Sequence, residues 1–218
     1  MKRIGITGGI GSGKSLVCSH IRDRGYFVID ADALVADLLE DTDIIKRIGE
    51  VLGDDCIKKN KVDKKKVSDI IFSDKDAYSR YMTMLSRFVV EKIEELFKKH
   101  EALNKTKDAI AFLDAPLIYE YGFDKNLDEV FYINRNLKDR IAGATSRDES
   151  TPRDVKKRVN EQISLEGVIK KGATIINNDG SVEELIDKVD NILSSILEKG
   201  EASVHRNQVD ALPFEMAA

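Results

Sequence analysis

Apolar residues along the chain fall into short runs separated by longer stretches of helical periodicity. Lys2-Arg-Ile-Gly-Ile-Thr7 reads as a short buried strand. A glycine cluster follows, and Leu16, Val17, His20 and Ile21 then recur at helical steps. Tyr26-Phe-Val-Ile29 predicts a second strand, and Asp30-Ala-Asp32 opens a helix with Leu34, Val35, Leu38 and Leu39 on its apolar face. Two acids therefore sit at a strand's C-terminal end. Residues 109–114, 129–134 and 173–177 repeat the buried-strand pattern with helical stretches between them, and a last helix is predicted over about 181–198. Strands alternating with helices predict an α/β fold in three layers, with a mainly parallel central sheet covered on both faces.

Between about 41 and 107 the pattern turns helical and charged, with no convincing strand, which predicts an α-helical insertion. Its longest helix, about 75–100, carries Tyr78, Tyr81, Met82, Leu85, Phe88, Val89, Ile93, Leu96 and Phe97 as a core-facing stripe. The lysine-rich stretch 58–66 reads as a solvated face or as an attractor for an anionic substrate. Residues 136–170 are polar and basic, with Ser150-Thr-Pro-Arg-Asp154 suited to a helix start. The expected organisation is a core of 1–40 and 108–198, an insertion of 41–107 and a mobile polar tail of 199–218.

Length and charge narrow the function. The chain has 218 residues, 42% of them apolar, enough for one domain with an insertion. Its 35 basic and 39 acidic residues leave a net charge of −4, which argues against a nucleic-acid partner. Cys18 and Cys56 are too few for a disulfide framework and lack metal-ligand spacing. No run approaches the ~18 apolar residues of a membrane span, and no signal-peptide layout opens the chain, so no membrane partner and a cytoplasmic location are expected. Nothing in the pattern specifies an oligomeric state.

The chemistry begins at Gly8-Gly-Ile-Gly-Ser-Gly13-Lys14-Ser15, a phosphate-loop string set between a predicted strand and helix. Gly9, Ile10, Gly11, Ser12 and Gly13 let the backbone N–H groups from about Gly11 to Leu16 converge on phosphate oxygens, and the helix N-terminus adds favourable dipole charge. Lys14 is expected to reach the β- and γ-phosphates of ATP, and the Ser15 hydroxyl to ligate Mg²⁺. Of the acid pair, one can orient magnesium-bound water, with Asp30 the candidate, and the other can accept the proton of an attacking hydroxyl. Asp114 is either a second magnesium-directed acid or a strand-end turn residue.

Gly5-Ile-Thr-Gly-Gly-Ile-Gly-Ser-Gly-Lys-Ser15 with Val28-Ile-Asp-Ala-Asp32 resembles the dephospho-CoA kinase family, whose register continues at Pro116-Leu117, Glu120, Arg147, Gln162, Asn178 and Gly180. The resemblance spans about residues 1–198. It implies a P-loop nucleoside-triphosphate-hydrolase-type core with a helical substrate domain and a lid at about 136–170. It also implies ATP-dependent phosphorylation of the ribose 3′-hydroxyl of dephospho-CoA, giving coenzyme A and ADP. Residue by residue it makes Asp32 the base, Arg147 the lid arginine and Asn178 a contact to the adenine end of ATP, and places Pro116, Leu117, Glu120 and Gln162 on the acceptor side. Four positions depart from the family pattern. Leu16 stands where a threonine is usual, a His-Pro pair is missing around Ser86-Arg87-Phe88, Gly143 replaces an arginine, and Gly172-Ala173 replaces an Ala-Asp pair. Arg140, nearly a turn before Gly143, is either the substitute nucleotide contact or a helix-end dipole partner.

Two other functions compete: a phosphate-loop kinase of another nucleoside, nucleotide or small alcohol, and a nucleotide-binding regulator without an acceptor. Asn60-Lys-Val-Asp63 spells a guanine-recognition string, but no strand pattern leads into it. His20 and His100 are read as non-catalytic, because in-line phosphoryl transfer relies on positioning and charge. Tyr119 and Tyr121 flank Glu120 and either border the acceptor or pack in the core.

Overall fold

Each predicted strand is short, and its alternate residues are buried on opposite faces, as expected of a sheet covered on both sides. The computed structural model describes residues 1–103, 110–148 and 164–209, without the side chains of 146–148 and 199–209. Strands β1 (Lys2–Gly8), β2 (Phe27–Asp30), β5 (Ile110–Asp114), β6 (Glu129–Asn134) and β7 (Thr174–Asn177) form one sheet in the order β2-β5-β1-β6-β7. All of its pairings are parallel. From β5 and β6, Ile110, Phe112, Phe131 and Ile133 join the layer of α1 (Lys14–Asp23) and α8 (Val182–Val209). Their neighbours Ala111, Leu113, Val130 and Tyr132 face the opposite layer, with α2 (Ala31–Leu38), α3 (Thr42–Leu52) and α5 (Lys75–Leu103). The mainly parallel, helix-flanked sheet matches the sequence reading.

Between β2 and β5 lie α2, α3, α4 (Lys64–Ser73) and α5. Here the structure adds a hairpin absent from the sequence reading, β3 (Ile57–Lys58) with β4 (Lys61–Val62). Lys59 and Asn60 turn it with positive φ angles of 49° and 58°, a two-residue turn that matches the strands' twist. The guanine-like string therefore occupies this turn and strand, and Asp63 caps α4. Lys58, Lys61 and Lys66 pair with Asp63, Glu40 and Asp55, which favours the solvated-face reading of the lysines. On α5, Tyr81, Leu85, Val89, Ile93 and Phe97 are buried, but Tyr78 is 44% exposed and departs from the predicted core stripe.

Helices α6 (Leu137–Asp148) and α7 (Leu165–Lys170) flank residues 149–163. Gln162, the predicted helix start at 150–154 and much of the predicted lid lie outside the described residues. Helix α8 continues to Val209, past its predicted end at 198. Its Glu198-Lys-Gly-Glu-Ala202 run carries strong helix formers around one glycine, whose cost of about 1 kcal/mol does not end a helix. Among the described residues, no helix is long and apolar enough to cross a membrane.

Candidate active site

The helix caps single out α1. Asp30, Asp41, Asp63, Asp74, Asn136, Ser164 and Ser181 each accept a hydrogen bond from a first-turn amide, so α2 to α8 all have a side-chain cap. Among the described α-helices only α1 has none, because its cap position is Gly13, at φ 97°. Its orphan N–H groups and positive dipole end open at the C-terminal edge of the central strand β1, where parallel α/β sheets bind ligands. Gly11, at φ 73°, is the second left-handed glycine of the loop, and any Cβ there would run into the Arg140 backbone.

The loop is braced from both sides. Arg140 donates from Nε to the Ile10 carbonyl at 3.1 Å and packs its guanidinium where Gly9 lacks a side chain. Asn178 donates from Nδ2 to the Ser12 carbonyl at 2.8 Å. Its backbone N–H bonds the Asn134 carbonyl at 2.7 Å, which ties the loop to the ends of β6 and β7. The resemblance assigned Asn178 to adenine, but its amide donor is engaged by the loop itself. The cradle read over Gly11–Leu16 is also narrower than expected. The Ser12 N–H bonds the Gly9 carbonyl at 2.9 Å, and the Leu16 N–H bonds Gly13 at 3.0 Å as helical bonding begins. The Ser12 hydroxyl is buried without a hydrogen-bond partner among the described residues.

Acids converge on Lys14. Its ammonium pairs with Asp114, which is only 7% exposed at the end of β5. Asp114 is thus part of the site rather than a simple turn residue. Asp30 accepts from the Ala33 N–H at 3.0 Å as the cap of α2, a role additional to the metal-directed one read from sequence. Asp32, two residues further on, lines an apolar cleft of about 260 Å³ with Val35, Met82, Leu85, Tyr121 and Phe123. Though Asp32 is exposed at the rim, desolvation in the cleft raises its carboxyl above the ordinary aspartate range. Lys14 opposes that shift, and the charges of Asp30 and Asp114 reinforce it.

Pro116 and Leu117 line the same cleft, whereas Glu120 is exposed and is not part of its wall. Thr7 donates to the Pro116 carbonyl at 3.1 Å, fixing the turn to β1. The two tyrosines separate. Tyr119 is buried with the Lys171 ammonium 5.6 Å from its ring centroid, and Tyr121 forms cleft wall. Burial, together with Asp124, pushes the Tyr119 hydroxyl up to about 12, and burial with the neighbouring Tyr78 hydroxyl does the same for Tyr121. His20 pairs with Asp190 at 2.8 Å and His100 stacks on Phe27 at 4.1 Å, so each has a partner other than the phosphate loop. Ser15 follows Lys14 on the first turn and is exposed. Arg147 lies on the last turn of α6, with its side chain outside the described residues.

A five-stranded parallel sheet with a phosphate loop after its central strand and strand-end acids around the loop lysine defines a P-loop kinase fold. A shikimate kinase structure from Acinetobacter baumannii shares that fold alone, with a TM-score of 0.51 at 15% identity over 91% of this chain and 94% of the other. The family is narrower. A model described as Dephospho-CoA kinase matches residues 2–184. A dephospho-CoA kinase from Fusobacterium nucleatum is 30% identical over 194 residues, 88% of this chain and 97% of its own. A solved Thermus thermophilus structure superposes with a TM-score of 0.72 at 27% identity, covering 89% of this chain and 97% of the other. The chain belongs to the dephospho-CoA kinase family and is an ATP-dependent phosphotransferase of coenzyme A biosynthesis.

Proposed function

We propose that this protein transfers the γ-phosphoryl group of ATP to the ribose 3′-hydroxyl of dephospho-CoA in the cytoplasm, with the insertion at 41–107 forming the acceptor side. The observation that carries this reading is the adjacency of an uncapped helix N-terminus, its Lys14, and a cleft carboxylate, Asp32, that feels the lysine's charge. The amides opening α1 and the Lys14 ammonium hold the phosphates. Arg140 and Asn178 keep the loop in shape, and Arg147 adds a charge contact on the nucleotide side. Asp32 accepts the proton of the attacking hydroxyl. Its raised proton affinity favours that transfer, and Asp30 is less suited because one of its oxygens is engaged as a cap.

Magnesium fits the donors present. The Ser15 hydroxyl and the carboxylates of Asp30 and Asp114 are hard ligands, and no group of three or more His, Cys, Asp or Glu side chains placed to hold an ion occurs among the described residues. Such a sparse set suits an ion held largely by nucleotide phosphates and water. When bound, Mg²⁺ neutralises charge developing on the phosphoryl oxygens. The wall formed by Met82, Ser86 and Val89, where the family pattern has His-Pro, favours one second reading, a kinase with another nucleoside acceptor. A coupled ADP-release assay decides between them. Dephospho-CoA should support turnover far above adenosine, AMP and deoxynucleosides; preference for one of those would establish the second reading, and no acceptor-dependent release would leave a nucleotide-binding regulator.

A further inference from the structure

Asp30 and Asp114 stand directly opposite each other on the neighbouring parallel strands β2 and β5. Two carboxylates so placed repel, and the cations that offset them come from one face of α1. Lys14, Cys18 and Arg22 follow at four-residue steps along that face. Lys14 and Arg22 divide the Asp114 carboxylate: the lysine takes Oδ1, and the guanidinium lies 3.2 Å from Oδ2. Arg22 also lies 3.5 Å from Asp30 Oδ2 and so bridges the two acids. Between the cations lies the buried Cys18 thiol, whose proton affinity is pushed up first by burial and then by the Asp114 charge. The thiol therefore stays neutral and supplies no charge of its own. The phosphoryl transfer proposed above makes no use of Arg22.

We infer that Arg22 is a positioning residue that releases Lys14 to the nucleotide. To reach a phosphate, the Lys14 ammonium must leave Asp114, and a carboxylate only 7% exposed is costly to strip of its counter-charge. Arg22 stays on that carboxylate and keeps it neutralised while the lysine moves. It also offsets the repulsion that incoming phosphates meet from Asp30 and Asp114. A divalent cation bound with the phosphates supplies the same positive charge at the same acids. Arg22 and Mg²⁺ are therefore partly interchangeable, and the arginine matters most when the metal is absent. The inference rests on reading 9–16 as the ATP phosphate loop.

Calorimetric titration with ADP, in EDTA and again in Mg²⁺, tests it on the full chain. Arg22→Ala should weaken binding about 3- to 10-fold in EDTA, the scale of one partly exposed charge-assisted contact, and less than about 2-fold in Mg²⁺. Arg22→Lys should recover most of the EDTA affinity, whereas Arg22→Gln, which retains much of the length and packing without charge, should not. A role confined to holding α1 together would weaken binding equally with and without metal, and that result overturns the inference. So does wild-type affinity of Arg22→Gln in EDTA, a variant that also decides the matter if the alanine variant does not fold. If the wild-type protein binds no ADP in either buffer, the phosphate-loop reading fails and this inference fails with it, an outcome distinct from failure of the inference alone.

Discussion

The side-chain amide of Asn178 donates to the backbone carbonyl of Ser12 at 2.8 Å, so a residue just beyond the last strand holds the loop that follows the first. The bond crosses 166 positions of chain and lies beneath Gly13, where a Cβ would collide with the Asn178 amide. Asn178 therefore acts on phosphate binding through loop shape. Asn178→Ala should lower kcat/KM for ATP about 2- to 10-fold, the range of one lost neutral hydrogen bond. It should lower kcat/KM for GTP by the same factor. A selective loss with ATP would restore the adenine-contact role that the family resemblance implies.

Asp32 should govern the acid side of the pH–rate profile. Its carboxyl is raised above the ordinary aspartate value near 3.9, chiefly by desolvation, and a base works only when unprotonated. Activity should therefore fall as pH drops through this raised value, earlier than an exposed aspartate would impose. Asp32→Asn should cut turnover about 100- to 10,000-fold while leaving ADP affinity within about 2-fold. The stability effect runs the other way. A carboxyl with a raised folded-state pKa destabilises the fold above that pKa, where it must ionise beside Asp30 and Asp114, and this effect fades as pH falls. Asp32→Asn should therefore melt at or above the wild-type temperature at neutral pH. An active Asp32→Asn beside an inactive Asp30→Asn would exchange the two roles.

Much of this site is local enough to be legible in the sequence. The strand, glycine loop and lysine-bearing helix are contiguous over residues 2–23, and local patterning sets all three. The acid pair follows a recognisable strand, although its division into the Asp30 cap and the cleft-lining Asp32 required the geometry. The β3–β4 hairpin escaped because two-residue strands leave no measurable alternation in a lysine-rich stretch. Arg22 escaped for a different reason. On α1 it reads as an ordinary polar position, and its partners arrive from β2 and β5, whose register is fixed only by sheet assembly. Tyr119 and Tyr121 show the same limit at a turn, where two adjacent odd positions separate into core and cleft.

Tyr121 should set acceptor affinity. Its ring walls the cleft that holds Asp32, beside the apolar side chains of Val35, Met82 and Phe123. Tyr121→Ala should raise KM for dephospho-CoA about 3- to 10-fold, consistent with the loss of one aromatic contact, and leave KM for ATP unchanged. Tyr121→Phe should remain within about 2-fold of wild type if the ring supplies the contact. Equal losses in the two variants would assign the effect to the hydroxyl.

Arg140 and Arg147 should separate into different kinetic parameters. Arg140 already lies against the loop, bonded to the Ile10 carbonyl at 3.1 Å and filling the space beside Gly9. Its contribution is present before the transition state and should appear mainly as nucleotide binding. Arg140→Ala should raise KM for ATP about 3- to 10-fold with a smaller change in kcat, because contacts made equally in ground and transition states do not accelerate chemistry. Arg147, two turns further along α6 and matching the family's lid arginine in register, is assigned to charge that develops during transfer. Arg147→Ala should lower kcat about 10- to 1000-fold and leave the dissociation constant for dephospho-CoA nearly unchanged. Steady-state kinetics with both substrates varied, alongside direct acceptor binding, checks the pair. A kcat loss confined to Arg140→Ala would reverse the assignment and make the loop-bound arginine the one that acts on the transferring phosphoryl group.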